Sequence, residues 1–326
     1  MGVTNFSGLE VAGVPTMGIS GAPLFTGNWW FVDPLNGSDG NLGSADFPLK
    51  TIGQALTMAT AGNNDVIVLN GTATNHLSAT LTWNKAMTHL IGMCSPVRRG
   101  KRARISPASG ATAFTPLVNV TAAGCYFANI QAFYGFNSAS NNSNCWQDSG
   151  GHSTYDNVEL LGFGDGTAST GTANITTARA LKFATATGES LFRNCVFGVD
   201  TEARNVTNYT VEITTGAPRL TFENCDFECL LGSSGGSSSH VLIGADGIDR
   251  YLNFKGCRFL NSILSTGTTM TQALNINAAA GGVVLLDRCT SFGATHWETT
   301  ASGSVYLDMT AATAHDGGLA VEASPS

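Results

Sequence analysis

The chain has 326 residues, 39 of them glycine, with 43% hydrophobic and only 12% charged residues and a formal net charge of −7. That balance suits short strands and tight turns rather than helical bundles, and the acidic excess leaves no nucleic-acid footprint over the whole chain. No apolar run approaches ~18 residues, so no membrane span is expected.

The N-terminal stretch MGVTNFSGLEVAGVP has neither a charged n-region nor a compact apolar h-region, so it does not read as a secretory signal. A protein made and kept in a cytoplasm, or assembled there into something larger, is the expectation. Residues 1–28 are apolar, rich in glycine and without a clear period, and such a segment cannot fold alone. Phe6, Leu9, Val11, Val14, Ile19 and Phe25 would need cover on another surface. Residues 1–28 are therefore read as an anchoring arm that binds a partner.

Short alternating segments follow: DVIVLNGT (65–72), THLIGM (88–93), FANIQAF (127–133) and YDNVEL (155–160). They carry the period of strands and are separated by Gly, Ser, Thr and Asn loops. From there a repeat takes over. FRNCVF (192–197) returns as FENCDF (222–227), FKGCRF (254–259) and LDRCTSF (286–292), with Cys195, Cys225, Cys257 and Cys289 spaced by 30, 32 and 32 residues. Each unit has a second apolar strand upstream: ALKFA from Ala180, TVEIT from Thr210, HVLIG from His240 and ALNIN from Ala273; SVYLDM from Ser304 closes the series. Self-similarity at such a period is the signature of a solenoid. Val158 and Ile130 hold the cysteine's place in the earlier units, giving about eight coils, a rod about 40 Å long at ~4.8 Å per stacked strand.

Asn129, Asn157, Asn194 and Asn224 immediately precede that core position, Gly256 replaces them once, and Arg288 departs from the pattern. Asn tolerates the left-handed backbone region, so it suits a tight bend between strands. The cysteines could be a disulfide framework, a metal site, a catalytic thiol or a repeated core position. Their frame between apolar residues favours a buried column of small hydrophobes, kept as thiols. No C-x-x-C spacing or His pair completes a zinc set. The residues two before each cysteine, Arg193, Glu223, Lys255 and Asp287, alternate in sign and are expected to form an outward ladder.

FVDPLNGSDGNLGSADFPLKTIGQAL (31–56) resembles the entry segment of right-handed parallel β-helix proteins of the pectate-lyase-like superfamily, and the x-Asn-Cys-x-Phe units are similar to the coils of that superfamily. The resemblance implies an all-β right-handed parallel β-helix over 29–311, an N-terminal capping helix at 50–60, the arm at 1–28 and a C-terminal tail at 312–326. It also covers lyases, hydrolases, adhesins and inert virion parts, so it says little about function. An arm followed by a β-helix entry resembles a group of bacteriophage structural proteins as well.

Polysaccharide-cleaving members need converging carboxylates on an outer face. Here the acids, among them Asp148, Asp156, Glu159, Glu212, Glu228, Asp246 and Asp249, are scattered along the chain. No catalytic residue, metal or cofactor is implied, and the chain is expected not to be an enzyme. Trp146 and Trp297 stand in polar, loop-like settings that suit a loop anchor or a sugar contact. RRGKRAR, with Arg98, Arg99, Lys101, Arg102 and Arg104, holds five of the sixteen Lys and Arg residues. It reads either as a solvated turn or as a docking patch for an acidic partner. The functional expectation is a virion protein, a head decoration or cement protein bound to the major capsid protein and neighbouring decoration subunits through its arm. A homo-oligomer, with a trimer favoured, is expected. The alternative is a tailspike or fibre that binds or cleaves host surface glycans.

Overall fold

The computed structural model describes residues 25–299 apart from 112–113, 136–142, 185–187, 217 and 263–266, together with the short strands at 10–11, 14–15, 305–307 and 321–322. Phe6, Leu9 and Ile19 lie outside the described residues. Val11 and Val14 sit in two-residue strands paired antiparallel, Glu10–Val11 with Val14–Pro15. No helix among the described residues is long and apolar enough to cross a membrane.

The main strands of the coils are dealt in rotation to three sheets of parallel strands, with the short strands Ala203–Arg204, Met270–Gln272 and Ala294–His296 inserted outside that rotation. A coil opens on a long sheet, passes to a second and then a third, and returns. The coils begin at the strands Asp65–Asn70, Thr88–Met93, Tyr126–Ala128, Thr154–Asp156, Glu189–Arg193, Arg219–Glu223, Tyr251–Lys255 and Val283–Asp287. Eight coils result among the described residues, and the all-β parallel β-helix implied by the resemblance is the architecture found. Side chains alternate across each strand, so one set lines the interior. Phe127, Tyr155, Phe192, Phe222 and Phe254 occupy one inward column of the long sheet. Their rings stack with centroids 5.0, 4.4, 4.9 and 5.0 Å apart, close to the strand spacing itself.

Cys195, Cys225 and Cys257 are fully buried one coil above another, and each thiol donates to the carbonyl of the aromatic residue one coil earlier. All eight cysteines are free. Cys289 is half-buried, because the last coil has less above it. Val158 and Ile130 fill the same place, as the sequence frame implies. Trp146 departs from its loop-like reading. It is wholly buried in the strand Asn144–Asp148, and its indole N–H donates to the Tyr155 hydroxyl at 3.2 Å, which donates to Asp148 at 2.7 Å.

The bends follow the asparagine rule. Asn129, Asn157, Asn194 and Asn224 have φ of 53, 53, 55 and 52°, and Gly256 has 61°. Asn157 donates its amide to Asn129 at 3.1 Å. Arg288 takes the same bend at φ 51°, with its guanidinium donating to the neighbouring Asp287 carboxylate at 3.1 and 3.3 Å. The fold imposes the bend even where the sequence signal lapses.

The cap is a shorter helix than expected, Ile52–Met58. Thr51 caps it by accepting from the Gln54 N–H at 3.2 Å, and Asp39 fixes that turn by accepting from Lys50, Thr51 and the Thr51 hydroxyl. Ile52, Ala55 and Leu56 form its buried face and join Val32, Leu49, Ile67 and Leu69, closing the open apolar end of the rod.

One outward column of the long sheet runs Phe31, Val68, Ile91, Ala128, Asp156, Arg193, Glu223, Lys255, Asp287. The alternating ladder is thus in register and extends back to Asp156. Arg193 meets Asp156 at 3.0 Å and Lys255 meets Glu223 at 3.9 Å. With these side chains partly exposed, each pair contributes on the order of 0.2–1 kcal/mol, and the ladder's larger effect is on register.

Candidate functional site

The residue after each bend-and-core pair points outward on the second sheet. Stacking places Arg104, Gln131, Glu159, Val196, Asp226, Arg258 and Thr290 in one column. Glu228 lies two residues beyond Asp226 on the same strand, Asp226–Leu231. Acids that are far apart in sequence therefore share one face. The signal was present in the repeat: in Asn-Ile-Gln, Asn-Val-Glu and Asn-Cys-Asp the third residue is the one that faces out.

The basic run crosses this face. Residues 94–103 leave the second coil as a strap and reach along the sheet to the sixth. Arg98 donates to Asp226 at 2.8 Å and to the Asn224 carbonyl at 2.6 Å. Arg99 contacts Asp226 at 3.3 Å and pairs with Glu228. Arg258 grips Asp226 with two N–H groups at 2.7 and 2.6 Å. Lys101 is wholly buried and meets Glu159 at 3.0 Å. Glu159 also accepts from the Gly100 and Lys101 N–H groups and from Gln131.

The strap residues named from sequence thus have mixed fates. Lys101 has no free surface to offer a partner, since its ammonium is spent on Glu159 and the Arg98 carbonyl. Arg98 and Arg99 are turned inward onto acids of their own chain, while Arg104 begins the strand Arg104–Pro107 at the head of the column. Arg102 is exposed. Neither a solvated turn nor an open basic patch describes the run. Phe25, named with the arm, is buried against the rod, stacked on His89 with ring centroids 4.2 Å apart.

The electrostatics follow from this packing. Burial pulls the Asp226 carboxyl upward, but the Arg258 and Arg98 guanidinium groups outweigh it and hold the carboxyl below its ordinary range. Burial pulls the Lys101 ammonium down, opposed by Glu159. Asp226 and Glu159 thus anchor the strap, their carboxylate oxygens accepting from Arg98, Arg99 and Arg258 and from Gly100, Lys101 and Gln131 respectively. The strip holds three carboxylates, Glu159, Asp226 and Glu228, the Gln131 amide and two arginines, Arg104 and Arg258. Among the described residues no group of three or more His, Cys, Asp or Glu could hold a metal ion.

No family model and no curated protein matches the chain. Solved structures do. Pectin methylesterase PemA from Erwinia chrysanthemi superposes with a TM-score of 0.52 at 14% identity, covering 89% of this chain and 83% of that one. A pectin methylesterase in complex with a hexasaccharide gives a TM-score of 0.50 at 14% identity and the same coverage. Pectate lyase Pel9A gives 0.42 at 12% identity, over 86% of this chain and 82% of that one. The two pectin methylesterases are enzymes, so a chain of this fold can carry catalysis, and this overturns the expectation, drawn from scattered acids, that the chain is not an enzyme; of the acids named from the sequence, Glu159 and Glu228 share the outer face with Asp226. At this identity the likeness concerns architecture alone, and it agrees with the parallel β-helix that the strand pairing shows.

Proposed function

We propose that the chain is a bacteriophage structural protein of the head-decoration type, holding to a shell through its N-terminal segment and presenting the rod outward. The observation that carries this reading is the entry end. A long apolar segment precedes the rod, and its last described large side chain, Phe25, is clamped to the first coils. Leu35, Leu42 and Phe47 of the neighbouring entry loop are 64, 76 and 60% exposed, an apolar surface beside that segment. The partners on this reading are the major capsid protein and neighbouring copies, with a trimer as the assembly.

A second reading is recognition or cleavage of a host surface glycan by a tail protein. It is favoured by the outer strip holding Glu159, Asp226, Glu228 and Arg258, and by the fold shared with pectin-active enzymes. Immunogold labelling of purified virions of the encoding phage, with antibody raised against the rod, separates the two. Label over the head supports decoration, label at the tail favours the glycan reading, and particles without label overturn both.

A further inference from the structure

The outer face of the long sheet changes character between the third and fourth coils. Beyond Asp156 it carries the charge ladder, as a face in contact with water should. Before it, the same column is Phe31, Val68, Ile91 and Ala128, and the neighbouring outward positions include Val66 and Tyr126. Val66, Val68 and Ile91 are 0, 1 and 1% exposed, although they point away from the rod's interior. They form an apolar cluster of their own, separate from the core, and Phe25 is part of it. His89 lies among them as a neutral spacer: it accepts from the Tyr126 N–H at 3.1 Å, is 3.1 Å from the Asn64 side-chain oxygen, and carries the Phe25 ring on its face.

We propose that the outer face of the first three coils is a docking seat for the chain's own residues 1–24, which lie back on the rod that follows them. Three features select this occupant. Phe25 is seated there and joins residue 24 directly, so the segment starts from the seat. Its composition matches: Leu9, Val11, Val14 and Ile19 are spaced by small residues, and Glu10 is the one charged side chain in 1–24. Its length suffices, because the seat spans three strand steps, about 15 Å, and 24 residues reach up to about 80 Å. The antiparallel pairing of Val11 with Val14 turns the segment back on itself, which fits a short hairpin laid across the seat.

The seat concerns the isolated chain, so it stands or falls separately from attachment to a shell. The test uses the full chain alone, with chymotrypsin cleavage near Phe6 and Leu9 and Glu-specific cleavage at Glu10 as readouts. Three variants are compared with the parent: V68D with I91D in the seat, V11D with V14D in the segment, and T221D on the later, polar half of the same sheet. Cleavage should accelerate about tenfold or more in the first two and stay unchanged in the third. The segment variant leaves every rod strand untouched, so it decides the matter if the seat variant fails to fold. A parent chain cut as fast as the segment variant overturns the proposal. So does a parent whose cleavage accelerates on dilution while a dimer disappears, since the occupant would then be a second copy's segment.

Discussion

Asp226 is the residue on which the strap turns, and Asp226→Asn isolates its charge with little change of shape. The carboxylate is fully buried and receives four N–H contacts within 3.3 Å, from Arg98, Arg99 and Arg258. Hydrogen bonds to a charged group contribute about 1.5–3 kcal/mol each at best. The three arginine side chains are 35, 51 and 49% exposed, however, and their guanidinium groups regain water when released. A total loss of about 2 kcal/mol is therefore expected, or about 4 °C in Tm for a chain of this size. Two of the three partners belong to the strap, so about 1.4 kcal/mol of the loss falls on strap closure, a tenfold rise in its open population. Trypsin has five basic residues to cut between Arg98 and Arg104, and cleavage there should be about tenfold faster in the variant. The difference in stability should also depend on pH. The folded-state pKa of Asp226 lies below its unfolded value, so its contribution is complete above about pH 4 and is lost as pH falls through the folded value. Equal trypsin rates for parent and variant at neutral pH would refute the strap as described.

Cys225→Ala should cost about 1–3 kcal/mol through lost packing, read by denaturant unfolding, and native thiol titration should find Cys195, Cys225 and Cys257 protected while Cys94 and Cys289 react first. Arg288→Asn should stabilise by about 0.5–1 kcal/mol, because the bend at φ 51° suits Asn, whereas Asn129→Ala should destabilise by about 1 kcal/mol or more through its amide bonds to the Gly92 and Cys94 carbonyls. Glu223→Lys would set three cations in a row with Arg193 and Lys255, and its Tm deficit should shrink in high salt. Burial pushes the His89 imidazole down to about 4, against the opposing pull of Asp65. The unfolded chain then binds the extra proton first, so stability should fall by roughly 2–3 kcal/mol as pH drops from 6.5 to 4, and His89→Gln should flatten that slope in acid titrations of unfolding.

The sequence was most legible where the coil repeats. Cys195, Cys225 and Cys257 recur at nearly constant spacing, so one register assigns the core position, the left-handed bend before it and the charge two residues earlier. The loops obey no period, and there the reading failed. Arg98 and Asp226 are separated by 128 residues, and nothing local in RRGKRAR marks its partners. Lys101 looked like a surface cation because lysine usually is one, while its burial depends on Glu159 two coils away. Glu159 and Glu228 were read as scattered, and Asp226 was not named with them, for a related reason. Glu159 stands two coils away from Asp226 and Glu228, so no dense motif forms, and only stacking converts the spacing into proximity. Trp146 was misread because its polar neighbours suggested a loop, whereas Asn144 and Asp148 are buried with it in a strand.

The strap has a consequence for how the rod comes apart. In a solenoid each unit touches only the units beside it, so unfolding can begin at an end and travel coil by coil, with each step set by one interface. A segment leaving the second coil and fastening to the fourth and sixth breaks that rule. Coils three to five cannot fray without either carrying the strap away or stretching it. Five or six extended residues reach about 19 Å, which is already the distance covered by four strand spacings, so there is little slack. The middle of the rod should consequently melt as one cooperative block, while the last two coils, beyond its reach, peel away first.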